Sequence, residues 1–288
     1  MKQQLQWFAK GAVMGIADAV PGVSGGTMAL ITGIYERLIA ALAALRVDTA
    51  RQALRGDWAG AWQRLDGNFL LSLGLGILLS LFTTLSLMHT LLAQAPQLVW
   101  AFFAGLIVAS LVVLMRRHRW QPVDAVLMTL GTFIAAAIAL STSLHLTPTP
   151  FWLVVGGALA ISAMLLPGVS GSFILLLLGI YPAVVQAVSE ADLMTIAWVA
   201  LGCLIGLLAF SRLLNALLAR WHDRVLGFML GFVLGALIKV WPWQAGGDWL
   251  SPQAYQLLTG HSAWLGGCLA VALLGAGAVI VLTHKTRS

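Results

Sequence analysis

Pro21-Gly22-Val23-Ser24-Gly25-Gly26-Thr27 returns later in the chain as Pro167-Gly168-Val169-Ser170-Gly171-Ser172-Phe173. The likeness extends outward: Gly11–Tyr35 aligned on Gly157–Tyr181 gives 12 identities in 25 positions, and both copies end in Gly-Ile-Tyr. A repeat of this size in a very apolar chain points to the duplicated halves of a membrane transporter, with a binding site where the halves meet. Proline stops a helix, and the glycines and serines after it expose backbone N–H groups and hydroxyls inside the membrane.

The chain has 288 residues, of which 60% are hydrophobic and 9% charged. Soluble domains carry about a quarter charged residues, so this is a membrane protein whose whole length is needed for its spans. The net charge of +6 is scattered through short loops, where it sets topology, and is not a nucleic-acid footprint. Cys203 and Cys268 lie in apolar runs and read as buried thiols. Lys2 and Ala17-Asp18-Ala19 mimic a signal peptide, but Lys10 interrupts the apolar run and the segment recurs internally, so it reads as retained.

Apolar stretches fall at about 5–20, 27–45, 68–93, 97–115, 123–144, 151–166, 172–189, 193–219, 225–241 and 262–283. Those beside each motif are short for a span of roughly 20 residues and suit re-entrant or broken helix pairs. Lys and Arg occupy every second connection; those around 94–97, 141–150, 189–193 and 243–262 have none. Placing the basic loops in the cytoplasm puts both termini inside and inverts the second motif pair relative to the first. The expected fold is therefore an all-α polytopic membrane protein, a single domain over 1–288 built from two inverted-topology repeats. Each repeat, 1–145 and 146–288, is a motif-tipped re-entrant or broken helix pair plus three transmembrane helices. Between Val47 and Gly67, Leu54, Trp58, Trp62 and Leu65 share one helical face, which predicts an interfacial helix with Arg51, Arg55 and Arg64 near headgroups.

The two loops form candidate anion cradles: Ser24, Gly25, Gly26 and Thr27 in one, Ser170, Gly171 and Ser172 in the other. The bland alternative is the tight tip of a hairpin whose serines satisfy its own carbonyls. Ionisable residues in apolar segments are costly and commonly functional, which singles out Asp18, Glu36, Arg37, Arg212 and Lys239. Arg37 and Arg212 suit a phosphate or carboxylate, and Asp18 or Glu36 a coupling proton. Internal neutralisation of Glu36 by Arg37 or Arg212, and snorkelling of Lys239, are the structural alternatives. Gly22-Val23-Ser24-Gly25-Gly26 also fits a nucleophile pattern, with His89 as a recruitable base, but neither flank reads as a strand and the serine is duplicated. No Cys/His/acid cluster has metal-ligand spacing, and no nucleotide loop appears.

Ala17-Asp18-Ala19-Val20-Pro21-Gly22-Val23-Ser24-Gly25-Gly26-Thr27 and Gly33-Ile34-Tyr35-Glu36 resemble the first half of the PopT-like polyprenyl-phosphate transporters. Leu166–Phe173 and Gly179-Ile180-Tyr181 resemble the second half, and Trp241-Pro242-Trp243 a late motif of the same family. The resemblance implies a bacterial plasma-membrane protein without cofactors that returns undecaprenyl phosphate from the outer to the cytoplasmic leaflet. On that reading Lys239 attracts the headgroup, the motifs hold it at mid-depth, and Arg37 and Arg212 draw it inward. Proton coupling through Asp18 and Glu36, and association into a homo-oligomer, stay open. The competing readings are an intramembrane hydrolase or lipid pyrophosphate phosphatase, and a transporter of a small soluble anion.

Overall fold

The computed structural model describes residues 2–19, 24–141, 144, 146–245 and 248–285, and all structural statements concern these. Pro21, Gly22 and Val23 of the first motif lie outside them. The chain is an all-α polytopic membrane protein. Helix α1 (Lys2–Asp18) leads to the first motif, which opens α2 (Gly25–Ile31) and α3 (Tyr35–Ala43). Two short helices, α4 (Val47–Leu54) and α5 (Trp58–Arg64), precede the long apolar helices α6 (Gly67–Gln94), α7 (Pro96–Arg117) and α8 (Pro122–Leu140). The succession then recurs as α9 (Pro150–Leu165), the second motif, α10 (Gly171–Leu177) and α11 (Tyr181–Ser189). The remaining helices are α12 (Leu193–Ala236), α13 (Pro252–Thr259) and α14 (Leu265–Lys285). Within α12, Trp221 leaves helical geometry (φ −138°, ψ 46°), so two spans meet there with hardly a loop.

The stretches 27–45 and 172–189, expected as single arms, are each broken. The chain turns by 118° between α2 and α3 and by 114° between α10 and α11. The cause is the shared Gly-Ile-Tyr. Gly33 and Gly179 take φ of +69° and +78°, and their N–H groups donate to Leu30 and Leu176 O. The following Ile34 and Ile180 N–H groups reach back to Ala29 and Leu175 O at 3.0 and 3.1 Å. This double bond pattern ends a helix on a left-handed glycine, with the next apolar residue buried against it. Gly56, at φ +90°, splits the expected interfacial helix into α4 and α5 by the same pattern. The connection after Trp243, expected to be loop, carries a two-residue antiparallel ladder and α13.

Helix packing rests on glycines at matching places. A β-carbon on Gly11 would run into Leu73 O of α6, and one on Gly157 into Val199 O of α12. Conversely, Gly76 faces Phe8 O of α1, and Gly202 faces Val154 O of α9. The later helices interlock crosswise. Gly105 of α7 faces Ala272 O of α14, while Gly231 of α12 faces Met128 O of α8. Gly275 faces Phe102 O, and Gly131 faces Phe228 O. Between apolar helices in lipid, close backbone approach at small residues is what supplies the attraction.

The two ends of the bundle differ. At one, Arg37 pairs with Asp66, Arg212 donates to Leu45 O, and Glu36 meets His222. At the other, Gln97 donates to Ser262 O and accepts from Tyr255 Oη, while Trp243 Nε1 donates to Ala263 O. The connections rich in arginine thus gather at one end, and those without Lys or Arg at the other.

Candidate functional site

The motifs meet in the interior. Every residue of α2 is buried, with Ser24 at 1% and Thr27 at 3% exposure. Gly168 of the second motif donates its N–H to Thr27 Oγ1 at 2.9 Å, although 141 residues separate them. Tyr35 Oη donates to Leu165 O, just before the second motif, at 2.7 Å. Gly26 lies under the end of α9, where a β-carbon would come 3.0 Å from Met164 O.

In the first motif the described residues, Ser24 onward, are held by neighbouring side chains. Ser24 Oγ accepts from Gly26 N–H at 3.2 Å, the usual way a serine caps a helix start. Asp18 Oδ1 accepts from Gly25 N–H at 2.7 Å, which places a carboxylate over the opening turn of α2. Lys10 donates to Thr32 O at the far end of that helix.

The second loop is arranged differently. No residue of α10 is fully buried, and Ser170 makes no capping bond to it. Its hydroxyl pairs instead with Ser172 Oγ at 2.7 Å. Ser170 and Lys239 line one cavity of about 40 Å³, together with Gly168, Val169 and Phe173. The Lys239 ammonium stands 4.5 Å from the Phe173 ring centroid, a cation–π contact that holds it at the cavity. The Ser170 hydroxyl and the ammonium, which share this cavity, can together receive an anion's oxygens.

Of the residues singled out from sequence, Ser24, Gly25, Gly26, Thr27 and Asp18 form one cluster. Ser170, Gly171, Ser172 and Lys239 form the other, and Thr27 joins them. Arg37 is held elsewhere. Its Nε and Nη2 make a bidentate pair with Asp66 at 2.5 and 3.0 Å, and the guanidinium lies over Trp7 and Phe69. Glu36 is paired with His222 at 2.8 Å, not with an arginine. Arg212 donates to Leu45 O at 2.8 Å.

The structure adds a hollow of about 410 Å³ that the sequence did not suggest, lined in part by Leu30, Ile31 and Gly33 at the end of α2. Glu36, His118, Arg119, His222 and Asp223 line it. His222 bonds both Glu36 and Asp223, and these hydrogen bonds, that to Glu36 first, raise its pKa above the ordinary 6.5. His118 sits 3.2 Å from buried Asp124. These histidines come from two separate basic connections, and only folding shows that the two meet.

Known proteins resemble the chain along most of its length. A family described as undecaprenyl phosphate translocase-like matches residues 14–256. A Vibrio cholerae protein named polyprenyl-phosphate transporter is 39% identical, covering 96% of this chain and 95% of its own. A Staphylococcus aureus protein of the same name is 32% identical over 83% of this chain and 88% of its own. No solved structure matches the chain significantly. The match spans both motifs and most of the helices that pack around them, so the chain belongs to the undecaprenyl phosphate translocase-like family.

Proposed function

We propose that this protein moves polyprenyl phosphate across the bilayer, carrying the phosphate through the two motif loops while the isoprenoid tail stays in lipid. The observation that carries this reading is the contrast between the loops. The second places Ser170 and Lys239 on a cavity, with Ser172 bonded to Ser170, while the described residues of the first, from Ser24 on, are buried and held by Ser24 and Asp18. Family membership and the printed names of the two relatives support the lipid.

The matched glycine contacts support two structurally equivalent halves, 1–145 and 146–288, and the segregation of arginines to one end supports their inverted orientation. With the arginine-rich end and both termini placed in the cytoplasm of a bacterial inner membrane, the cavity at Lys239 faces outward. The hollow at His118, Arg119 and His222 then faces the cytoplasm. On this arrangement the headgroup enters from the outer leaflet at Lys239 and leaves toward the hollow at His118 and His222. Asp18 occupies the Gly25 N–H that a phosphate oxygen would take, so the carboxylate and the headgroup compete for one donor. Protonation of Asp18 would remove its negative charge from the first loop and favour entry of the phosphate, which couples transport to protons.

The hydrolase reading is weakened by the serines themselves. Ser24 Oγ accepts from a backbone N–H and Ser170 pairs with Ser172. The side chain of His89 lies outside the described residues.

The deciding experiment is headgroup translocation of a labelled polyprenyl phosphate in sealed proteoliposomes, with and without a proton gradient. Movement without phosphate release, reduced at least tenfold by Lys239→Gln or Ser170→Ala, supports the reading; about 1.4 kcal/mol of lost binding corresponds to that factor. Phosphate release from a polyprenyl pyrophosphate would favour the enzyme. Inhibition by soluble phosphate as strong as that by a short-chain polyprenyl phosphate would favour a small-anion carrier.

A further inference from the structure

Helices α4 and α5 enclose more than an interfacial surface. Between them and α12 lies an apolar slot of about 470 Å³, whose lining includes Ala50, Ala53, Trp58, Trp62 and Leu208. Beside it is a polar hollow of about 260 Å³, lined by Asp48, Arg64 and Asn215 among others. Arg46 and Thr49 line both, and Arg212 stands at the wall of the slot. An apolar slot with Arg212 on its wall, sharing Arg46 and Thr49 with a hollow that Arg64 and the carboxylate of Asp48 also line, has the two-part chemistry of an anionic lipid. Arg46 and Arg212 donate to Ala43 and Leu45 O, which fixes the two guanidinium groups while leaving other N–H donors on each fork. Val47, Leu54 and Trp58 are exposed, at 63%, 81% and 68%, as suits a hairpin at the lipid interface.

We infer that this two-part cavity is a binding site for an anionic glycerophospholipid of the adjoining leaflet, with an acyl chain in the slot and the phosphate between Arg46 and Arg64. The bound lipid fills the space under α4 and α5 and fastens the hairpin to α12. The inference stands apart from which lipid is transported.

The test is native mass spectrometry of the full chain in detergent, titrated with dioleoyl phosphatidylglycerol or dioleoyl phosphatidylcholine. One phosphatidylglycerol is expected to be retained in preference to phosphatidylcholine. Arg46→Gln and Arg64→Gln should each weaken it about fivefold, the usual worth of one basic residue at an anionic headgroup. Arg116→Gln, on α7 outside the cavity, should leave it unchanged. Brominated phosphatidylglycerol should quench tryptophan emission, and Trp62→Phe should remove part of that quenching. Equal retention of the two lipids, or equal loss in Arg116→Gln, would overturn the site. Displacement of phosphatidylglycerol by equimolar polyprenyl phosphate would overturn the assignment of its occupant. Translocation in proteoliposomes made of phosphatidylcholine alone reads the transport proposal separately.

Discussion

Thr27 and Gly168 tie the two motifs together: the Gly168 N–H donates to Thr27 Oγ1 at 2.9 Å, between loops that lie in different halves of the sequence. Thr27→Val keeps the shape and removes the acceptor. An unpaired N–H in this interior costs about 1–3 kcal/mol, so the variant should melt earlier in detergent, while Thr27→Ser stays near wild type. Equal melting of all three would show that the bond carries no weight.

Arg37 should behave as a structural residue. Its bidentate pairing with Asp66 and its stacking on Trp7 and Phe69 cannot be reproduced by a lysine. Arg37→Lys and Asp66→Asn are expected to lower thermal stability to a similar extent, by about 1–3 kcal/mol for loss of a charged hydrogen bond. A double variant no worse than either single one would confirm the coupling. An Arg37→Lys protein that is fully stable but does not transport would return Arg37 to the substrate route.

Gly76→Ala and Gly202→Ala probe the equivalence of the halves. Each would push a β-carbon into a backbone carbonyl, Phe8 O or Val154 O, which cannot swing aside as a side chain can. Overpacking of this kind costs about 1–3 kcal/mol. Both variants should therefore lose stability by comparable amounts. A silent Gly202→Ala beside a damaging Gly76→Ala would break the correspondence between α1–α6 and α9–α12.

The Glu36–His222 contact gives a stability term that depends on pH. The His222 pKa is raised above 6.5 by its bond to Glu36 and then by that to Asp223. A histidine raised on folding stabilises the protein fully below its unfolded pKa, and the benefit is lost as pH rises through the folded value. Melting temperatures of wild type and His222→Gln, measured from about pH 6 to about pH 9, should converge at the alkaline end, with wild type ahead at the acidic end. A constant difference would mean that the charge on His222 contributes nothing. Both side chains are about half exposed, so added salt should shrink the effect.

The class of the fold was legible because a bilayer allows few solutions. Long apolar runs must be helices, since every backbone group needs a partner within the segment. The duplicated Pro-Gly-Val-Ser-Gly located the candidate site, because Pro, Gly and Ser have few uses at that depth other than a break. The shared Gly-Ile-Tyr was visible as a repeat but not as a turn. Left-handed glycines that end α2 and α10 look, in sequence, like small residues inside apolar arms. Partners of the charged side chains were not legible either. Neutralisation of Glu36 by Arg37 or Arg212 is one of two readings of the sequence, and Glu36 instead meets His222, 186 residues away; Arg37 found Asp66 from the far side of α4 and α5.

Sequence by itself determined an all-α membrane protein with two motif loops and arginines in alternating connections, because hydropathy, helix-breaking residues and charge act locally along the chain. Tertiary structure decided that Ser24 and Thr27 are buried, that Lys239 joins Ser170 at one cavity, and that two basic connections bring His118 and His222 to one hollow. These are choices among distant partners, and the energy that makes them comes from glycine-mediated helix contacts and interhelical hydrogen bonds, which exist only once the helices have packed.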